Sequence, residues 1–245
     1  MRVLLLGGTG EGRALAARLH PQVDIISSLA GRVPDPALPV GEVRIGGFGG
    51  IDGLRRWLSE NEISAVVDAT HPFAATMTAH AAAACAGLGM PHVVLCRPAW
   101  DPGDATVVSS DAEAADQVAA QGYSRVFLTT GRSGAAAFRD SEAWFLIRVV
   151  TAPDPEDLPR HRELLFSRGP YGYDDEYALL RDHRIDVVVT KNSGGALTHA
   201  KLDVARVLGV DVVMIDRPPL PAGVTVVRSV DNAVDWVLSR GNAAG

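Results

Sequence analysis

Four short phrases in this 245-residue sequence gather glycines, hydroxyls and charges: GGTGEGR (Gly7–Arg13), DATHPFA (Asp68–Ala74), TTGRSG (Thr129–Gly134) and TKNSGG (Thr190–Gly195). The first suits a phosphate. Glycines clear side chains from a tight turn, and a helix that follows offers unpaired N–H groups and a positive dipole end. Gly8, Gly10 and Gly12 supply the clearance, and Thr9 adds a hydroxyl donor. The spacing departs from G-x-G-x-x-G, because counting from Gly8 puts Arg13 at the third glycine's place. Glu11 would oppose a phosphate, so its carboxylate should turn away or reach a ribose.

An NAD site usually carries an acid about 20 residues on, bonded to the ribose. Here the second apolar run ends in Ser27, Ser28 and, further on, Arg32, while Asp24 stands at the run's start. Hydroxyls and a guanidinium suit a 2′-phosphate that an acid would repel, which favours NADP over NAD. The opposing view of Arg32 is a solvated surface arginine. In the second phrase Thr70, His71 and Pro72 follow an apolar run; His71 could meet a nicotinamide or move a proton, although a histidine before proline is more often structural.

Of 23 basic residues only two are lysines, Lys191 and Lys201, and both fall within TKNSGGALTHAK. Ser193 reads as a helix N-cap, with Gly194 and Gly195 in the first turn and Lys201 about two turns in. N–H donors and two cations make an anion site; the plainer reading is a capped helix with exposed lysines. Arg132 and the phrase SRGPYGYDDEY (Ser167–Tyr177) add cations and aromatic surface. Together they suit a flat, unsaturated ligand bearing several carboxylates.

These phrases need a scaffold that presents strand ends. Short β-branched runs recur at Arg2–Leu6, Val23–Ser27, Glu42–Ile45, Ala65–Asp68, His92–Leu95, Thr106–Val108, Arg125–Thr129, Trp144–Val149, Asp186–Thr190, Asp211–Ile215 and Val224–Val227. Helical patterns lie between many of them, at Gly10–Leu19, Ile51–Asn61, Phe73–Leu88, Ala112–Gln121, Glu176–His183, Leu197–Leu208 and Asn232–Ser239. Alternation of this kind predicts a doubly wound parallel α/β architecture, in which ligands gather at the carboxyl ends of the strands. RPAWDPGD (Arg97–Asp104) is the best boundary, giving domains 1–100 and 101–245, with allowance for a strand crossing between them. RPPLP (Arg217–Pro221) reads as the end of a strand, and Thr151–His161 as a proline-broken loop.

The composition is 47% hydrophobic and 21% charged, that of a globular protein, and the net charge of −6 argues against nucleic acid as a partner. No charged segment with a long apolar run precedes the first strand, so no signal peptide or membrane span is expected and a cytoplasmic location is. Cys85 and Cys96 match no metal or redox spacing and read as buried thiols; the seven histidines show no ligand spacing, so no metal is expected.

Taken in order, LLLGGTGEGRALA, SSLAGR, RIGGFGG, DATHPFA, TTGR, RGPYGYDDE, TKNSGG with AKLDVARVLG, and VVMIDRP resemble the precorrin-6A reductase family of cobalamin biosynthesis. Each motif alone is unspecific; the ordered set, from residue 4 to 218, is specific. The resemblance implies two Rossmann-like domains with the active site in a cleft between them. It implies NADPH as hydride donor and reduction of one ring double bond of precorrin-6A to give precorrin-6B. It puts Gly8, Thr9, Gly10, Glu11, Gly12, Ser28, Arg32, Thr70, His71 and Pro72 on the cofactor side. The substrate's carboxylates then fall to Arg132, Arg168, Tyr171, Lys191, Asn192, Ser193, Gly194, Gly195 and Lys201. No proton donor is assigned; His71 and Lys191 are the side chains to consider. The partner expected is this tetrapyrrole-derived polycarboxylate, for a monomer or small homo-oligomer.

Two rivals stand beside this reading. A short-chain dehydrogenase needs Tyr-x-x-x-Lys, and four residues after Tyr123, Tyr171, Tyr173 and Tyr177 come Phe127, Asp175, Tyr177 and Arg181. The other is a non-catalytic, two-lobed protein that binds NADP or a small molecule, which a turnover assay separates from a reductase.

Overall fold

The computed structural model describes residues 1–31 and 38–241. Its strands are β1 (Arg2–Leu6), β2 (Asp24–Leu29), β3 (Glu42–Ile45), β4 (Ala65–Asp68), β5 (His92–Leu95), β6 (Thr106–Val108), β7 (Arg125–Leu128), β8 (Trp144–Val149), β9 (Arg162–Phe166), β10 (Val187–Lys191), β11 (Asp211–Ile215) and β12 (Thr225–Val227). The α-helices are α1 (Gly10–Leu19), α2 (Gly50–Glu60), α3 (Ala75–Leu88), α4 (Asp111–Gln121), α5 (Tyr173–Asp182), α6 (Ala200–Leu208) and α7 (Val230–Gly241). Short 3₁₀ turns occupy Arg132–Phe138 and Pro155–Asp157.

The chain divides into two units, one from Met1 to Pro98 joined by the chain from Pro218 onward, the other from Ala99 to Arg217. Both are parallel six-stranded sheets, ordered β12-β5-β4-β1-β2-β3 and β6-β11-β10-β7-β8-β9. The central strand order 3-2-1-4-5 is the doubly wound one, repeated in each unit. Each sheet takes its sixth strand out of turn: β6 follows β5 in the chain but edges the second sheet, and β12 follows β11 but edges the first.

In the first unit the pleat explains the unbroken apolar strands. Val3 and Leu5 of β1 pack on one side with Leu15 and Leu19 of α1 and with Val234 and Val237 of α7. Leu4 and Leu6 face the other side, among Leu54 and Leu58 of α2 and Ala81 and Ala84 of α3. Alternate residues serve opposite layers, so both layers demand apolar side chains. Arg18 of α1 also pairs with Asp231 of α7. In the second unit Phe127, Leu146 and Val188 of the sheet pack with Leu180 of α5 and Val204 of α6.

Several expectations are corrected. The second domain does not run to residue 245, because β12 pairs with β5 and α7 contributes to the first unit's core. RPPLP therefore marks the chain's return to the first unit rather than a mere strand end. Strand β9 was not foreseen: Arg162 and Glu163 open it and every residue keeps some exposure, as befits an edge strand. Helix α6 starts at Ala200 rather than Leu197, with His199 rather than Ser193 at its N-cap position. The physical reason lies in the backbone ahead of it, where Gly194 and Gly195 sit at φ 67° and 75°, outside helical space. Trp100 Nε1 donates to Gly195 O at 2.7 Å and Tyr171 N donates to Leu197 O at 3.2 Å, which commits those carbonyls elsewhere.

Candidate functional site

In the first unit the foreseen residues gather at the carboxyl ends of adjacent strands. β1 runs into Gly7 and Gly8, and Gly8 has φ 110°, a conformation that only glycine takes without strain. Thr9 is the N-cap of α1: its Oγ accepts from Gly12 N at 3.0 Å and donates to Ala69 O at 2.8 Å. One buried hydroxyl thus ties the glycine turn to the loop after β4. Gly7 N donates to Ser28 O at 2.9 Å, tying the same turn to β2. The first-turn N–H groups of α1 at Gly10 and Glu11 have no acceptor within the helix and suit an anion. Glu11 answers its own objection, since its carboxylate accepts from Arg97 Nη1 at 2.8 Å and is thereby neutralised.

Thr70, His71 and Pro72 form a turn fixed by a buried acid. Asp68 Oδ1 accepts from Thr70 N at 2.9 Å and Thr70 Oγ at 2.6 Å. His71 Nδ1 accepts from Phe73 N at 3.3 Å, so the ring helps shape its own turn. Ser28 is buried at the end of β2, and its Oγ accepts from Arg44 Nη1 at 3.0 Å. Arg32 lies outside the described residues. Arg44 is a residue the sequence reading left without a role. Its guanidinium also donates to Gly46 O and Gly47 O and lies 3.8 Å from the centre of the Phe48 ring. Ser28 and Arg44 face each other in the β2–β3 register. The available signal was RIGGFGG itself, a lone cation at the end of a strand before glycines. Arg97 was missed because its partner Glu11 is distant in the chain, whereas Asp68 acts on Thr70 two residues on, within the quoted phrase DATHPFA.

In the second unit the structure joins some foreseen residues and separates others. Lys191 ends β10; its Nζ donates to Thr130 O at 2.9 Å and lies 3.9 Å from Asp111 Oδ2. Asn192 is buried and holds both main-chain groups of Trp100, accepting from its N at 2.8 Å and donating to its O at 3.2 Å. Arg217 donates to Asn192 O and Ser193 O at 2.8 and 3.0 Å. Arg132, at the start of the 3₁₀ turn, and Arg168, on the loop after β9, are exposed, and Tyr171 is half-buried. Lys201 departs from the expectation of an exposed cation. It is in the first turn of α6, 4% exposed, with Nζ donating to Thr198 O at 2.6 Å and set 4.7 Å from the centre of the Trp100 ring. Burial pushes its pKa down to about 7. Trp100, Arg148, Glu176 and Arg217 were not foreseen.

Among the described residues no group of three or more His, Cys, Asp or Glu is placed to hold a metal, and no helix is long and apolar enough to cross a membrane. Both cysteines are free thiols, Cys85 buried and Cys96 half-buried.

Two parallel α/β units, the first with a glycine turn opening onto a capped helix at its sheet's carboxyl edge, define a protein of the doubly wound, Rossmann-like class. The family model described as precorrin-6x reductase CbiJ/CobK matches residues 2–238, and the chain belongs to that family. It is 70% identical over 236 residues to the precorrin-6A reductase of Mycobacterium tuberculosis, covering 96% of this chain and 97% of that protein. It is 55% identical over 241 residues to the precorrin-6A reductase of Rhodococcus erythropolis, covering 96% and 97%. A solved structure, CobK precorrin-6A reductase, superposes with a TM-score of 0.91 at 39% identity, over 98% of this chain and 97% of that one.

Proposed function

We propose that this protein reduces one ring double bond of precorrin-6A to give precorrin-6B in the cytoplasm, with NADPH as the donor. The observation that carries the cofactor assignment is the turn after β1. Gly8 at positive φ leaves the approach clear, with nothing within 4 Å of where a Cβ would stand, and Thr9 holds the helix start rigid. NADPH supplies a hydride when bound. The chain's own residues do the rest. Gly10 and Glu11 present first-turn N–H donors to the pyrophosphate beside the cleared turn at Gly8, and the Glu11 carboxylate is quenched by Arg97. Ser28 and Arg44, with Arg32, offer hydroxyl and guanidinium donors to the 2′-phosphate. The Asp68-fixed turn Thr70–Pro72 forms the wall toward the nicotinamide.

In the second unit we assign the substrate's carboxylates to the loop ends bearing Arg132, Arg168, Tyr171 and Lys191–Gly195. A polycarboxylate is gripped by several such donors at once, and charge-assisted hydrogen bonds are the strong ones. His71 and Lys191 remain the side chains to test as proton donors.

The test is anaerobic turnover of precorrin-6A with NADPH and with NADH, alongside fluorescence titration of each nucleotide. We expect NADPH to bind more tightly, and Arg32→Glu to weaken NADPH far more than NADH. Lys191→Ala should raise KM for the macrocycle while sparing NADPH affinity. Binding of both nucleotides with no turnover would leave a non-catalytic NADP-binding protein.

A further inference from the structure

Three charged side chains are buried together in the second unit, and the function above does not use them. Arg148 projects from β8, Glu176 from the first turn of α5 and Lys201 from the first turn of α6. They are 8%, 1% and 4% exposed. Arg148 Nη2 donates to Glu176 Oε1 at 2.5 Å. The guanidinium lies 3.9 Å from the centre of the Tyr171 ring and 4.7 Å from that of Phe127. Glu176 and Arg148 are both near enough to act electrostatically on Lys201.

Stability is a poor reason for this cluster. Taking charges out of water is costly, and apolar replacements of buried ion pairs are often neutral or stabilising. Here Arg148 Nε and Nη1 and Glu176 Oε2 have no hydrogen-bond partner among the described residues, so the desolvation is only partly offset. Apart from the core ring of Phe127, the neighbours the cluster touches lie in loops. Arg148 stacks on Tyr171, whose OH donates to Ser167 O at 3.2 Å and whose N donates to Leu197 O at 3.2 Å. Lys201 holds Thr198 O and lies against Trp100, which in turn holds Gly195 O. The cluster therefore governs residues 167–171 and 195–198 from below. With Lys201 protonated it carries two positive charges against one negative, a surplus that an arriving carboxylate would balance.

We propose that Arg148, Glu176 and Lys201 form a positioning element that shapes the loops at 167–171 and 195–198 and lends them the positive field that receives a carboxylate of the substrate. Lys201 is the positioning residue most open to test, because it acts on both the field and the backbone of Thr198. The proposal rests on the substrate assignment above.

The experiment compares wild type with Lys201→Met, close in length but uncharged, and Lys201→Arg, which keeps the charge. Each is assayed below pH 7, where Lys201 holds its proton, for KM and kcat with precorrin-6A, and for NADPH Kd by fluorescence. Lys201→Met should raise KM about tenfold, with kcat and NADPH Kd changed by less than about twofold. Lys201→Arg should return KM to within about threefold of wild type. If the Met variant does not fold, Lys201→Gln replaces it with the same expectation. An unchanged KM, an Arg variant no better than the Met variant, or an NADPH Kd that worsens in step would each overturn the proposal. Wild type that binds NADPH without turning over precorrin-6A would instead remove the functional reading on which it rests.

Discussion

Replacing Thr9 by valine removes one hydroxyl and almost no volume, so its cost can be worked from two hydrogen bonds. The first is the cap on Gly12 N, and losing an N-cap of this kind costs about 1 kcal/mol. The second is the donation to Ala69 O, also buried, with a net worth of about 1 kcal/mol and more if the carbonyl stays unpaired. Thr9→Val should therefore destabilise the first unit by about 2–3 kcal/mol. For a chain of this size that lowers Tm by roughly 4–12 °C, taking 2–4 °C for each kcal/mol. Thr9→Ser keeps both hydrogen bonds and loses a methyl group, about 0.8 kcal/mol. The assay is thermal and urea unfolding of wild type and both variants, with hydrogen exchange at the Gly12 amide as the local reporter. Exchange there should quicken in the valine variant and stay near wild type in the serine variant. A valine variant within about 0.5 kcal/mol of wild type, or a serine variant as damaged as the valine one, would refute the assignment of the energy to the hydroxyl.

A Cβ at Gly12 would stand 3.4 to 3.6 Å from Thr9 Oγ, Gly7 Cα and Ala69 Cβ, ordinary contacts, so Gly12→Ala should fold normally and stay within about 1 kcal/mol of wild type by thermal unfolding. A Cβ at Gly53 would come 1.8 Å from Phe48 O, a backbone atom, so Gly53→Ala should cost roughly 1–3 kcal/mol or more by thermal unfolding. Asn192→Ala strips two hydrogen bonds from the Trp100 backbone and should cost about 2–4 kcal/mol, read from urea unfolding. Lys201 adds a pH dependence. Its folded pKa is pushed from 10.5 to about 7 by burial, so between those values the unfolded chain holds a proton that the folded chain lacks. Its contribution to stability is fullest above the unfolded value and is lost as pH falls through about 7. Urea midpoints should rise from pH 7 toward pH 10, and Lys201→Met should flatten that slope; burial of His92 acts with the same sign below about pH 6.5.

Local signals were enough for the frame. Runs such as Val3–Leu6 and Val187–Val189, short and apolar throughout, read as strands covered on both faces, and GGTGEGR reads as the turn after one of them, as the structure has it. What escaped the sequence depends on partners far along the chain. Ser193 has the chemistry of a cap, but the left-handed glycines after it and the tie from Trp100 to Gly195 O postpone the helix to Ala200. Arg148 interrupts an apolar strand, and nothing near it shows that Glu176 will neutralise it. Lys201 reads as solvated until Trp100, a hundred residues earlier in the sequence, is found lying against it. Arg44 stood in a quoted motif, yet only the β2–β3 register sets it opposite Ser28.

The exchange of edge strands reverses the order in which the two units can mature. Every strand of the second sheet, β6 included, has been made by Ile215, whereas the first sheet waits for Thr225–Val227 and its core waits for Ala233, Val234 and Val237. During synthesis the sheet whose first strand is made earlier is thus the sheet completed later. A ribosome stalled after Arg217 would have made every strand of the second sheet and left the first sheet unfinished, with the outer edge of β5 unpaired and the places of Ala233, Val234 and Val237 in its core unfilled.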